Sequence, residues 1–152
     1  MNRFEEYEEW LRRNDGFSEW KKRVAEIIAR KNLCPVMNDT KWLELQAEVE
    51  KLPFPPPFSM RCVTDKDDRE INDPVDAPRY VGDWSSFWEE GLPPFFNIEW
   101  IRVRPRHGIP RGRLVADEVL DETEEFLAIL AKLSIPYNNE DGIVMIYGYK
   151  PI

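Results

Sequence analysis

The sequence predicts an α+β fold in which N-terminal helices and one later helix pack on a small, mainly antiparallel sheet. Three observations carry this expectation. Apolar residues recur at helical spacing through the first third of the chain and again from Phe126. Alternating patterns mark strands at 58–62 and 95–104, and two short runs flank a turn ending in Gly142 near the C-terminus. Because the strands gather late and the last two read as a hairpin, antiparallel pairing is the simplest arrangement.

The first helix follows from Phe4, Tyr7, Trp10 and Leu11 on one stripe. Glu5, Glu6, Glu8 and Glu9 fill the complementary positions and suit the positive end of the helix dipole, and Asn14-Asp15-Gly16 supplies the break. A second helix, capped by Ser18, aligns Trp20, Val24, Ile27 and Ile28 and must stop before Pro35. A third starts at Asp39 or Thr40 and presents Trp42, Leu45, Val49 and Leu52 before Pro53 ends it. The prolines of 53–57 favour an extended polyproline connector, after which Phe58, Met60 and Cys62 form a strand face. Residues 64–78 hold six acids against Lys66 and Arg69 with almost no apolar material, which reads as a mobile acidic loop inside a single domain spanning 1–152.

Tyr80 to Gly91 is irregular, with a serine able to cap a brief helix near Trp84. A central strand from Phe95 to Arg104 places Phe96, Ile98 and Trp100 on one side and Asn97, Glu99, Ile101 and Val103 on the other. Arg104 to Arg113, rich in Pro and Gly, reads as a loop. Asp121-Glu122-Thr123-Glu124 resembles a capping box with Asp121 as the cap, opening a helix that buries Phe126, Leu127, Leu130 and Leu133. Ile135-Pro136-Tyr137, a turn over 138–142 and a strand over 143–149 complete the chain.

The 152 residues and 42% hydrophobic content suffice for one domain with a sizeable core. With 21 basic against 29 acidic side chains the net charge is −8, which repels duplex nucleic acid. Two cysteines and a start lacking a basic-then-apolar order point to the cytoplasm, and no apolar run reaches the roughly 18 residues of a membrane span.

No string of the sequence carries a catalytic or nucleotide-binding signature, and no cofactor or metal is expected. The strongest anomaly is Arg102, Arg104, Arg106, Arg111 and Arg113 around His107, with no acid between Ile101 and Ala116. Such an array could clamp phosphate or carboxylate with Arg104, Arg106, Arg111 and Arg113, and His107 could move a proton. The plainer expectation is that the arginines pair with the chain's own acids. Asp117, Glu118, Asp121 and Glu122 could hold a hard cation from a helix face, but serve equally as complements to a helix N-terminus. Cys34 and Cys62 lack a basic partner in sequence and read as packing residues. Trp84 and Trp88, framed by Asp83, Glu89 and Glu90, have the composition of a protein-binding hot spot steered toward a basic partner, although rings of this kind also cover sheets.

Leu33 to Trp42, Gly82-Asp83-Trp84 and Ile98 to Arg106 together resemble a family of small, functionally uncharacterised bacterial proteins. So do Arg111 to Leu114, Asp121 to Glu124 and Ile146 to Tyr149. The resemblance runs from about residue 24 to Tyr149, leaves out the helix at Asn2–Arg13, and implies bacterial origin and one domain without known catalytic residues. The expectation for function is therefore a non-enzymatic acidic binding protein of the bacterial cytoplasm, of the kind that acts as an immunity protein by neutralising a basic toxin domain. An anion-binding or enzymatic module built on the Arg102–Arg113 stretch is the alternative.

Overall fold

The computed structural model describes residues 2–14, 16–79, 83–85 and 91–152. Helix α1 (Arg3–Arg13) opens on a capping box: the Asn2 side chain accepts from the Glu5 N–H at 2.8 Å, and the Glu5 carboxylate accepts from the Asn2 N–H at 3.3 Å. Helix α2 (Phe17–Arg30) starts one residue before Ser18, the expected cap. The Phe17 N–H reaches the Asn14 carbonyl at 3.1 Å, drawing Phe17 into the helix, where its ring meets Trp10 edge-on at 5.2 Å. Helix α3 (Asp39–Val49) is capped by Asn38, whose side chain accepts from the Lys41 N–H at 2.8 Å, so neither Asp39 nor Thr40 is the cap.

The strands are β1 (Leu33–Pro35), β2 (Phe58–Cys62), β3 (Ile98–Val103), β4 (Arg106–Ile109), β5 (Glu118–Asp121), β6 (Asn138–Glu140), β7 (Ile143–Tyr147) and β8 (Tyr149–Pro151), with α4 (Thr123–Lys132) between β5 and β6. All described pairings are antiparallel. They form a four-stranded sheet in the order β2-β3-β7-β6 and two ribbons, β1-β8 and β4-β5. The α+β class and the central place of β3 agree with the sequence pattern.

One core joins the sheet to three helices. Ile101, Val103, Val144 and Ile146 are fully buried beneath Leu45 and Val49 of α3, Phe126 and Leu130 of α4, and Tyr7 of α1. Tyr7 stacks on Phe95 at 4.5 Å, and its hydroxyl accepts the Phe95 N–H at 2.8 Å; burial pushes its pKa well above the ordinary tyrosine range.

Several expectations are corrected. Strand β3 pairs Arg61 with Trp100 but Cys62 with Ile98, so a bulge inserts Glu99 and turns Ile98 onto the core face with Ile101, not beside Trp100. Arg106–Ile109 is a strand rather than loop, and its partner β5 takes Glu118 and Asp121 out of any helix. Gly108 lets residues 77–78 lie against β4, because a Cβ there would be 2.5 Å from the Ala77 carbonyl oxygen. Asp121 acts one position earlier than a cap, accepting the Thr123 N–H at 2.9 Å while Glu122 precedes the helix. The C-terminal hairpin turns on Asp141-Gly142 alone, both at positive φ (51° and 78°), so its first strand is 138–140 rather than 135–137. The pairing of β1 with β8 was not expected from the sequence.

Candidate functional site

The register of the four-stranded sheet sorts its side chains into two sets. Trp100 lies opposite Tyr147, Arg102 opposite Met145, and Asn138 opposite Met145 from the other side. These residues, with Ile143, Glu140, Ser59 and Arg61, face away from the helices and remain partly exposed or exposed. They leave a groove of about 410 Å³ with Ile143, Met145 and Tyr147 as its apolar floor, Asp73, Glu140 and Asp141 at its rim, and Arg102 and Asn138 also in its lining; the Lys150 ammonium lies 4.7 Å from the Tyr147 ring centre.

Segment 64–78 has no regular secondary structure and is strapped across part of this face by the sheet's own arginines. Arg61 donates to the carbonyls of Lys66 at 2.7 Å and Arg69 at 3.3 Å, and pairs with Glu99 at 3.4 Å. Arg102 pairs with Asp73 at 2.9 Å while its guanidinium carbon lies 4.2 Å from the Trp100 ring centre. Arg104 donates to the carbonyls of Pro74 at 3.3 Å and Asp141 at 3.4 Å. The segregated charges of the sequence thus meet in space. The side chains of Glu140 and Asp141 form no ion pair among the described residues.

The proposed arginine clamp does not converge. Arg106 is divided between Asp76 (3.7 Å) and Asp121 (3.4 Å), and Asp121 is held below the ordinary carboxylate range first by the Thr123 hydrogen bonds and then by Arg106. Arg111 and Arg113 sit exposed on the β4-β5 connection with no ion pair among the described residues. His107, expected on the surface, is 8% exposed and stacks on Phe54 at 4.1 Å, so it is walled by an aromatic ring and the β5 strand. Asp117 is committed to a bidentate pair with Arg79 at 2.7 and 2.8 Å, which lowers its pKa, and it lies before a strand rather than on a helix face. Glu122 is buried, and desolvation raises its pKa. Among the described residues no cluster of three or more His, Cys, Asp or Glu could hold a metal ion.

Of the aromatic site expected around Trp84, only part can be placed. Trp84 is 2% exposed, donates its indole N–H to the Pro56 carbonyl at 2.9 Å and packs on Phe58 and Phe126, so its ring belongs to the core. Asp83 is exposed and accepts the Ser85 N–H at 2.9 Å. Trp88, Glu89 and Glu90 lie outside the described residues. Cys34 is exposed; burial pushes the Cys62 thiol up to about 11, away from a reactive thiolate.

Sequence reasoning read Ile143, Met145 and Tyr147 only as part of a closing strand. The signal for the groove was there: Ile143 to Tyr147 is apolar on both alternating sets, which a strand with one wet face does not need. Among the described residues no helix is long and apolar enough to cross a membrane.

No curated protein and no solved structure matches the chain. A family model does match, over residues 24–152, which takes in every strand, α3, α4 and all the groove residues but leaves α1 outside. The chain belongs to a family of unknown function (DUF6678).

Proposed function

We propose that this protein works by binding, and that the open face of its four-stranded sheet receives a cationic, apolar-bearing segment of another protein. The observation that supports this most is the groove itself: a partly exposed apolar floor of Ile143, Met145 and Tyr147 beside carboxylates of Glu140 and Asp141 that form no ion pair among the described residues, Arg102 in the same lining being held by Asp73. Apolar surface next to unpaired acids is complementary to alternating apolar and basic side chains, since burial of the first set stabilises the complex and the acids select the second. Its volume of about 410 Å³ falls within the range of specific binding clefts. The net charge of −8 adds long-range attraction for a basic partner and speeds encounter. In its finer form the reading is an immunity protein of the bacterial cytoplasm that neutralises a basic toxin domain, with the contact surface moved from the Trp84 region to the sheet.

A second reading rests on Arg111 and Arg113, exposed and without described acid partners: these two guanidiniums could hold a phosphate or carboxylate. Calorimetric titration separates the two. A short alternating Lys/Val peptide should bind saturably, more weakly as salt rises, and about tenfold more weakly to Tyr147→Ala or Glu140→Lys. Inorganic phosphate should give no saturable heat. Peptide binding unchanged in both variants, with phosphate binding lost in Arg111→Gln, would reverse the assignment.

A further inference from the structure

The β4-β5 connection carries an unusual combination. Leu114 is 100% exposed and Val115 half exposed, and Arg111 and Arg113 precede the leucine without an ion pair among the described residues; Val119, on β5 itself, is half exposed as well. Exposed aliphatic residues scattered singly need no explanation, but here they are grouped with the two unpaired guanidiniums at the end of a ribbon. The root of that connection is fixed. Arg79 grips Asp117, just before β5, through two hydrogen bonds, and the Gly108 N–H of β4 donates to the Pro78 carbonyl at 2.8 Å. The tip is thus a projection from an anchored base, and its side chains contact little of their own chain.

The same molecule carries the complementary surface. The groove on the open sheet face has aliphatic and aromatic residues on its floor and Glu140 and Asp141 at its rim, while its one arginine, Arg102, is paired with Asp73; this matches in kind an aliphatic tip preceded by two arginines. Arg102 and Arg106 of the same arginine-rich stretch are already paired with Asp73, Asp76 and Asp121, and Arg104 is held by backbone carbonyls. Arg111 and Arg113 are the ones left to meet carboxylates elsewhere. On a molecule of net charge −8, like repels like unless a local basic element meets a local acidic one.

We infer that the Arg111–Val115 tip of one copy seats in the open-face groove of a second copy, with Leu114 on the apolar floor and the arginines on Glu140 and Asp141. This rests on the groove reading above and names one occupant for it. Tip and groove are different patches, so the contact is heterologous: it closes as a reciprocal pair or continues as a chain. Its functional consequence is competition. A foreign cationic segment and the tip of a neighbouring copy exclude one another, so assembly withholds the groove at high concentration and a partner releases it.

Sedimentation velocity on the full chain, from micromolar to millimolar concentration at low ionic strength, tests this. The weight-average sedimentation coefficient of the wild type should rise with concentration. Leu114→Ser, the double variant Arg111→Glu/Arg113→Glu, and Glu140→Lys should each weaken assembly about tenfold or more, a change of roughly 1.4 kcal/mol. All are at exposed positions, and circular dichroism checks that they fold. Mixing the double tip variant with Glu140→Lys should restore association, since the mixture again holds a native tip and a native groove on different copies as well as the reversed pair, and the Lys/Val peptide should dissolve the wild-type assembly. A wild type that stays monomeric throughout, or assembles with a constant that neither tip nor groove variants change, overturns the inference. If the peptide binds in the groove of such a monomer, the groove reading stands and only the self-association falls. If the peptide fails to bind at all, both fall.

Discussion

The two faces of the four-stranded sheet share one backbone and one register, yet they have opposite fates. Ile101, Val103, Val144 and Ile146 are fully buried under α1, α3 and α4, while their sequence neighbours Trp100, Arg102, Met145 and Tyr147 keep partial access to water. What covers the second face is an acidic segment without regular structure, tied down by arginine contacts to carboxylates and carbonyls. Helices cover a sheet by apolar area, which is cooperative and insensitive to salt. Largely solvent-accessible ion pairs contribute little each and are screened. The difference teaches that one side of β3 and β7 carries the core while the other keeps accessible surface, and it is this second side that the proposed binding uses.

The sharpest way to break this comparison is to truncate adjacent residues on opposite faces. Ile146→Ala should lower unfolding free energy by about 2–4 kcal/mol, because a fully buried side chain leaves a cavity that rigid neighbours fill only in part. Met145→Ala, one residue away, should cost under about 1 kcal/mol, since its side chain is partly exposed already. Chemical denaturation reads both, and equal losses would dissolve the distinction between the faces.

A smaller effect tests the part of the core that comes from outside the family match. Tyr7→Phe keeps the stack on Phe95 but removes the acceptor of a buried N–H, and should cost about 1–3 kcal/mol by the same denaturation measurement. A neutral result would mean that α1 rests on the core without being keyed to it.

The smallest effect is electrostatic and depends on pH. Burial raises the Glu122 pKa, so the folded state holds this proton more tightly than the unfolded chain, and the group's penalty grows as pH rises through and above the ordinary carboxylate range. Glu122→Gln should therefore raise the melting temperature slightly at neutral pH, with the gain fading as pH falls through the raised pKa and gone by about pH 4. Asp117 and Asp121, whose pKa values are lowered, act in the opposite sense in both proteins, so the variant-minus-wild-type difference isolates Glu122. A constant difference across pH would contradict the cause given.

How much of this was legible beforehand follows from range. Helices α1, α3 and α4 are written in local periodicity, and Trp42, Leu45, Val49, Phe126 and Leu130 are buried as their spacing requires. The β4-β5 ribbon was hidden because Arg106–Ile109 sits among prolines and glycines, and its partner begins only at Glu118, in acids that look like a helix start. Strict alternation puts Ile98 on the wrong face because it cannot see a bulge. The acidic neighbours of Trp84 suggest a surface ring, whereas its indole N–H meets a carbonyl 28 residues earlier. The groove is a product of register between β3, β6 and β7, and register is a property of pairing rather than of any one segment.

The most direct measurement is chemical-shift mapping of the isotope-labelled protein with the Lys/Val peptide. Shifts should concentrate at Trp100, Glu140, Ile143, Met145 and Tyr147, with the opposite set Val103, Val144 and Ile146 little changed. Shifts centred on Arg111 and Arg113, or spread evenly over the acidic surface without saturating, would contradict binding in the groove.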